Sequence, residues 1–224
     1  MKKRIFPLLL TLALAMCACS PAAPPTEPPT QVPVTEPPAQ QESSGFASLI
    51  QRYAEAVAQN RDGAQMMEQG LNDMIPGCLE QDERAHVGYF LGDLNGDGKE
   101  ELAIAASSES EFYTGLIFEL YTMEGDDPVL LAASSDRNRW YYAGPGKLLN
   151  IASSGAAESG WYLCGADRAL GFLDAVEYNA AQYPDDPWLR FTGSGWEHIS
   201  ANTADQAILD LSGMVRNLEL ISFV

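Results

Sequence analysis

Beyond residue 45 the apolar positions fall into two textures, and each predicts a different kind of element. Phe46, Leu49, Ile50, Tyr53 and Val57 recur at the spacing of one helical face, with Ser43 or Ser44 ahead of them as N-cap. Asp62 to Ile75 repeats that pattern more weakly, with Met67, Leu71, Met74 and Ile75 on one side and Pro76 as the stop. After Arg84 the period shortens to that of strands. Runs rich in Val, Ile, Tyr, Phe and Trp cover residues 86–91, 101–106, 114–123, 129–133, 139–143, 148–152, 161–164 and 171–177. Turn sequences such as Glu124-Gly-Asp-Asp-Pro128, Gly144-Pro-Gly146 and Ser153-Ser-Gly155 separate them. Such close spacing leaves no room for crossover helices and predicts an antiparallel meander. Ala204 to Leu218 reads as a further helix with Ala207, Ile208, Leu211 and Val215 inward, and Leu218 to Val224 as a terminal strand. The expected class is α+β: N-terminal helices, an antiparallel β meander, then a C-terminal helix and strand. Residues 46–224 are expected to form one such domain, long enough to bury a substantial core.

The break between the first two strand runs carries the most specific chemistry in the chain. Leu91-Gly-Asp-Leu-Asn-Gly-Asp-Gly-Lys-Glu-Glu-Leu102 spaces oxygen ligands two residues apart around a glycine turn. Alternate side chains of an extended or tightly turning chain point the same way. Asp93, Asn95 and Asp97 would therefore converge, Lys99 would offer its backbone carbonyl, and Glu101 would close the set. Leu94 faces away, and Gly96 and Gly98 sit where the backbone must wrap. Calcium takes six to eight such hard oxygen ligands, so the stretch reads as a calcium loop with those five residues as metal ligands. An EF-hand would place a bidentate Glu at the twelfth position of the loop, where this chain has Ile104. The apolar run after Glu101 instead makes the loop a link between two strands, with Glu101 opening the second. The alternative is a carboxylate-capped hairpin turn that holds no ion.

Asp93-Leu-Asn-Gly-Asp-Gly-Lys-Glu-Glu-Leu102 resembles the DxDxDG calcium loop of FG-GAP and integrin-propeller repeats, in which an acidic residue at the ninth position completes the site. That position is Glu101 here. The likeness covers the loop alone, since a propeller would repeat it several times and this chain carries one copy.

The residues before 46 read as targeting and tether. Lys2, Lys3 and Arg4 supply a positive segment, and Ile5 to Met16 an apolar one that falls short of the ~20 residues a bilayer crossing needs. Lipoprotein processing leaves a cysteine first after the cut, with a small residue before it. Ala18 precedes Cys19, whereas bulky Met16 precedes Cys17. By resemblance to bacterial lipobox sequences, residues 1–18 are a lipoprotein signal peptide and Cys19 is the lipidation site. Plain secretion with cleavage near Ala23 is the alternative. From Ser20 to Gly45 stand eight of the chain's fourteen prolines, a composition that builds no core. Extended polyproline II at about 3.1 Å per residue would let ~25 residues span up to ~75 Å, so residues 19–45 read as a lipid-bearing tether. Leader, tether and one calcium loop ahead of a β-rich remainder resemble surface lipoproteins of Gram-positive bacteria. That resemblance implies an extracytoplasmic bacterial protein, anchored to the cell membrane through its N-terminal lipid only.

Thirteen Lys and Arg against thirty-one Asp and Glu give a net charge of −18; without Lys2, Lys3 and Arg4 the balance is ten against thirty-one, or −21. A phosphate-binding surface needs clustered cations, so nucleic acid is excluded as a partner. Cys78 and Cys164 could be bridged outside the cytoplasm or stay as buried thiols. Two cysteines, His86 and His198, with no CxxC or HExxH, give zinc no support. No GxSxG, P-loop or GxGxxG is present, and Ser153, Ser154 and Ser159 lie in a small-residue loop. Glu158, Asp185 and Asp186 are isolated acids, and no catalytic residue is assigned. Trp140, Tyr141, Tyr142, Trp161, Tyr162, Trp188 and Trp196 could stack on sugars or pack across strands, with adjacent Trp140-Tyr141-Tyr142 sending a ring to each face. The expected function is that of a lipid-anchored extracellular calcium-binding domain, a non-catalytic module with a protein or glycan ligand and a structural ion. A secreted hydrolase or carbohydrate-binding module is the second reading.

Overall fold

The computed structural model describes residues 44–81, 85–110 and 112–223; the leader, Cys19, the tether and Ser43 lie outside the described residues. The first helix, α1 (Ser44–Ala58), buries Phe46, Leu49, Ile50, Tyr53 and Val57 as their spacing predicts, with Ala56 completing the face. The second predicted helix is instead two short ones, α2 (Gly63–Glu68) and α3 (Met74–Gln81). Asp62 caps α2 by accepting from Gln65 N while Gln65 returns a bond to Asp62 N, a capping box. The break comes at Gly70, whose φ of +63° suits the left-handed position past a helix end. Its amide donates to Met67 O at 2.9 Å and that of Leu71 to Met66 O at 3.0 Å, the paired bonds of a Schellman motif. Pro76 falls inside the first turn of α3 rather than ending the helix before it, because an amide there has no helical acceptor to lose.

Eleven strands form one antiparallel sheet, which overturns the α+β expectation: the class is closer to all-β, with few and short helices. Along the chain these are β1 (His86–Gly92), β2 (Glu101–Ser107), β3 (Leu116–Glu124), β4 (Asp127–Ala133), β5 (Asn138–Tyr142) and β6 (Lys147–Gly155). There follow β7 (Glu158–Gly165), β8 (Phe172–Asn179), β9 (Trp188–Phe191) and β10 (Trp196–His198), then α4 (Ala201–Ser212) and β11 (Ile221–Ser222). The spatial order is β10-β9-β8-β7-β6-β5-β3-β2-β1-β11, with β4 paired to β3 off this path. Two of these strands, β9 and β10, lie where no strand was expected, and two short helices stand where one was expected, so the sheet dominates. α4 starts at Ser200, whose Oγ accepts from Thr203 N, and stops at Gly213, short of the expected Leu218.

Side chains leave β2 for both faces, and nearly all of that strand is buried. Leu102, Ile104 and Ala106 join Phe46 and Tyr53 of α1 and Ala204, Ala207 and Leu211 of α4 in the larger core. Ala103 and Ala105 point the other way, to Ile117, Leu120, Leu148 and Leu94 in a smaller one. Each fully buried Leu, Ile or Phe contributes about 1.5–3 kcal/mol relative to exposure, so the two cores carry most of the stability. Trp140-Tyr141-Tyr142 splits as its alternation predicts: Tyr141 enters the larger core, Trp140 and Tyr142 pack on the smaller.

The meander has one fork. β3 pairs with β5 at Leu116 and Ile117 but with β4 from Glu119 to Glu124. The carbonyl of Phe118, between the two ladders, accepts from Ser134 N at 2.8 Å and from Asn72 Nδ2 at 3.1 Å. Asn72 also donates to Ser134 O at 2.9 Å, and Ser134 Oγ accepts from Trp140 N at 2.9 Å. Both side chains are buried and satisfy the backbone where the ladders part.

Candidate metal centre

β1 and β2 pair continuously from His86 with Ser107 to Gly92 with Glu101, so the 93–100 loop closes on a fixed base, and Glu101 opens β2 as expected. Within it every acidic or amide ligand candidate turns inward onto the loop's own amides. Asp93 Oδ1 accepts from Gly96 N at 2.6 Å and Asp97 N at 3.1 Å, and its Oδ2 from Gly98 N at 2.9 Å. Asn95 Oδ1 accepts from Asp97 N at 2.8 Å, and Asp97 Oδ1 from Lys99 N at 2.9 Å. Glu101 reaches back across the loop: Oε2 accepts from Leu94 N at 3.0 Å and Oε1 from Asn95 Nδ2 at 3.1 Å. That last bond fixes the Asn95 amide so that its oxygen faces the Asp97 amide within the loop.

Gly96 and Gly98 sit at φ +83° and +85° with open space around them, so glycine is needed there for backbone conformation, not room. Leu94 faces away into the smaller core, as alternation requires. Its carbonyl accepts from Gly146 N at 2.8 Å, which ties the loop to the β5–β6 turn.

Asp93 and Asp97 are exposed, Asn95 half-buried, Lys99 exposed and Glu101 fully buried. Burial pushes the Glu101 carboxyl above the usual carboxylate range; the amides of Leu94 and Asn95 pull it back, and the charges of Asp97 and Asp93 push it further up. None of the three acids forms an ion pair among the described residues; the pairs there are Arg168 with Glu124, Arg190 with Asp174, and His198 with Asp186. The donor set is all oxygen, which suits calcium or magnesium and not zinc. Among the described residues no three His, Cys, Asp or Glu side chains gather at one point; the acids lie along the loop, with an amide and a main-chain carbonyl between them. Among the described residues Asp97 keeps one carboxylate oxygen without a protein donor, and Asp93 Oδ2, Asn95 Oδ1, Asp97 Oδ1 and Glu101 Oε1 each accept one bond and retain a second lone pair, whereas Asp93 Oδ1 and Glu101 Oε2 each accept two. The residues therefore fit a hard cation. A hollow of about 500 Å³ opens beside the loop, bounded by Asn95, Asp97, Lys99, Gly146, Asp167 and Arg168.

Other sequence candidates separate. Ser153 donates to Gly155 O at 3.1 Å and Ser154 to Glu158, so these serines build the β6–β7 hairpin. Asp186 meets His198 at 3.4 Å on an exposed loop. Cys78 and Cys164 are buried and not joined in a disulfide. Trp161 and Trp188 pack on the larger core. Tyr162, Phe172, Phe191 and Trp196, from four successive strands, form a run of ring contacts between 5.1 and 6.3 Å. Phe172 is 47% and Trp196 38% exposed.

One buried group escaped the sequence reading. Glu119, in β3, accepts from both Tyr53 and Tyr121, and Tyr53 Oη accepts from Asn72 N at 3.0 Å. Its signal was a lone charge inside the apolar run Leu116–Met123. Burial pushes its carboxyl above the usual range, against the two phenols and Arg52.

Comparison with protein-family models, with curated proteins and with solved structures gives no match to this chain. Among the described residues no helix is long and apolar enough to cross a membrane.

Proposed function

We propose that the 93–101 loop binds one calcium ion through Asp93, Asn95, Asp97, Glu101 and the Lys99 carbonyl. On this reading the protein is an extracytoplasmic bacterial domain, held to the membrane by a lipid on Cys19, and a non-catalytic binding module. The supporting observation is a buried Glu101 whose carboxyl the charges of Asp97 and Asp93 push up, with none of the three acids in an ion pair among the described residues. A divalent ion would offset that repulsion. Five protein ligands leave one to three positions of a calcium shell for water, so the ion holds the β1–β2 turn rather than acting on substrate.

Calorimetry tests it. Calcium should bind with a dissociation constant of about 10⁻⁴–10⁻³ M, and magnesium poorly, because magnesium demands a tighter octahedron. Ligand at ~100 times that constant adds about 2.7 kcal/mol, which raises the melting temperature by roughly 5–11 °C in a domain of this size. Asp97→Ala should abolish both effects. No heat at millimolar calcium, with melting unchanged by chelator, would leave the loop a bare turn. For the anchor, Cys19→Ala should release the protein from membranes into the soluble fraction; retention would refute lipidation at Cys19.

The run Tyr162–Phe172–Phe191–Trp196 favours a second reading, carbohydrate binding. Exposed ring faces stack on the CH face of sugars, and the Glu177 carboxylate, held by Asn179 Nδ2 at 3.0 Å, lies on the neighbouring rungs of β8. Retardation in gels cast with soluble polysaccharide, lost in Trp196→Ala, is the outcome this reading requires; no retardation on any polysaccharide tested would reject it.

A further inference from the structure

A larger hollow, of about 810 Å³, lies over β5 and β6, between the C-terminal end of α4 and residues 112–114. That volume falls in the ~300–1,000 Å³ range of small-molecule sites. Tyr141, Leu149 and Ile151 line it. So do Phe112 and Leu209, at 67% and 66% exposure the two most exposed large apolar side chains among the described residues. Neither packs on a core. Leu209 lies outside the α4 face that buries Ala204, Ala207 and Leu211. Two apolar groups held in water around one hollow have no structural account in the fold.

Arg137 and Arg139 enter the same hollow, and both also line an adjoining one of about 530 Å³ beside α3. Cations are scarce in this chain: ten remain beyond the leader, and Arg168 and Arg190 are engaged in ion pairs. Arg137 and Arg139 form no ion pair among the described residues. Arg137 hangs from an anchored point, since its carbonyl accepts from Ser153 N at 2.8 Å. Arg139 stands beside the Tyr141 hydroxyl. Among the described residues Asp136 is the one acid in the lining, set against Arg137 and Arg139, on a molecule that is anionic as a whole.

We infer that this hollow binds an amphipathic organic anion, a small molecule with one carboxylate on an apolar body. The guanidinium groups of Arg137 and Arg139 receive the carboxylate, for which a planar fork of N–H donors is shaped. The body lies on Tyr141 and Ile151 and covers Phe112 and Leu209. Charge selects this class over others. A neutral apolar ligand leaves two cations uncompensated, a cationic one is repelled, and a second negative charge on the ligand meets Asp136. The site stands apart from the 93–101 loop and needs no calcium.

The test uses the mature protein in chelator and the probe 8-anilinonaphthalene-1-sulfonate, a monoanion whose apolar body is also available uncharged as N-phenyl-1-naphthylamine. One saturable site for the sulfonate is expected. A charged hydrogen bond lost from each arginine should weaken it about tenfold or more in the Arg137→Gln/Arg139→Gln double variant. The uncharged probe should bind that variant as it binds the wild type, and Leu209→Ser should weaken both probes. Decanoate should displace the sulfonate at lower concentration than decanol. Absence of saturable binding, full binding by the double variant, or equal displacement by decanol would overturn the inference. So would loss of binding in Trp196→Ala, which would place the probe on the aromatic run instead. Melting is measured for each variant; if the double variant melts early, Arg137→Gln alone, at an exposed side chain, decides the matter by the same criterion.

Discussion

Replacing Tyr53 by Phe removes a single hydroxyl with two partners. Tyr53 is fully buried, donates to Glu119 and accepts from Asn72 N at 3.0 Å. The Phe ring fills the same space, so the loss is one of hydrogen bonding. An orphaned buried amide costs about 1–3 kcal/mol and a bond to a charged acceptor about 1.5–3, so we expect a deficit of about 3–5 kcal/mol near neutral pH. Part of that deficit titrates. Burial raises the Glu119 carboxyl, and the hydrogen bonds from Tyr121 and Tyr53 lower it, so removing Tyr53's bond raises it further. A carboxyl whose folded pKa lies above its unfolded one loses stability as pH climbs from the unfolded value through the folded one. The Tyr53→Phe deficit should therefore be smaller at pH 5 than at pH 7. Urea unfolding at the two pH values measures it, and melting should fall by roughly 10 °C at the higher one, at about 2–4 °C per kcal/mol. In a Glu119→Gln background the amide cost should persist and the pH dependence vanish. A deficit under about 1 kcal/mol, or an equal one at both pH values, would refute the account of this cluster.

Gly88→Ala would set a β-carbon 2.2 Å from the Ile221 carbonyl oxygen, so β11 must detach; a loss of about 1–3 kcal/mol and faster amide exchange at residues 221–223 are expected, and an unchanged exchange pattern would count against it. Burial pushes the Cys164 thiol up to about 11 and Cys78 is equally enclosed, so neither should react with Ellman's reagent at pH 8 until urea unfolds the chain, when both should. Rapid labelling of the native protein would contradict that.

What the sequence carried was the local part. The face of α1, the positions of the first eight strand runs, and the loop with Glu101 at the mouth of β2 all follow from periods and spacings within a dozen residues. The class did not, because the extent of the sheet rests on distant pairings. Gly88 meets Ser222, and β9 and β10, at four and three residues, are too short to display a period. Glu119 was visible as a charge in an apolar strand, but its partner Tyr53 stands 66 residues away. The thiols are a similar case: spacing left Cys78 and Cys164 open, and their separate burial in α3 and β7 decides it. The loop's candidate ligands could be named in order, but not the degree to which Glu101 is enclosed, which depends on what packs over it.

An open sheet of eleven strands has exposed edges, and unpaired edge amides are templates on which another chain can add. Here the two ends are β11, with two residues, and β10, with three, so an incoming strand finds few rungs at either. The third edge, β4, opens with Asp127-Pro128, a charge followed by a residue with no amide to offer. A sheet of eleven strands is thus kept from growing into aggregates by trimming and blocking its margins. A variant that lengthened β11 or replaced Pro128 would put solubility at risk before it changed the fold.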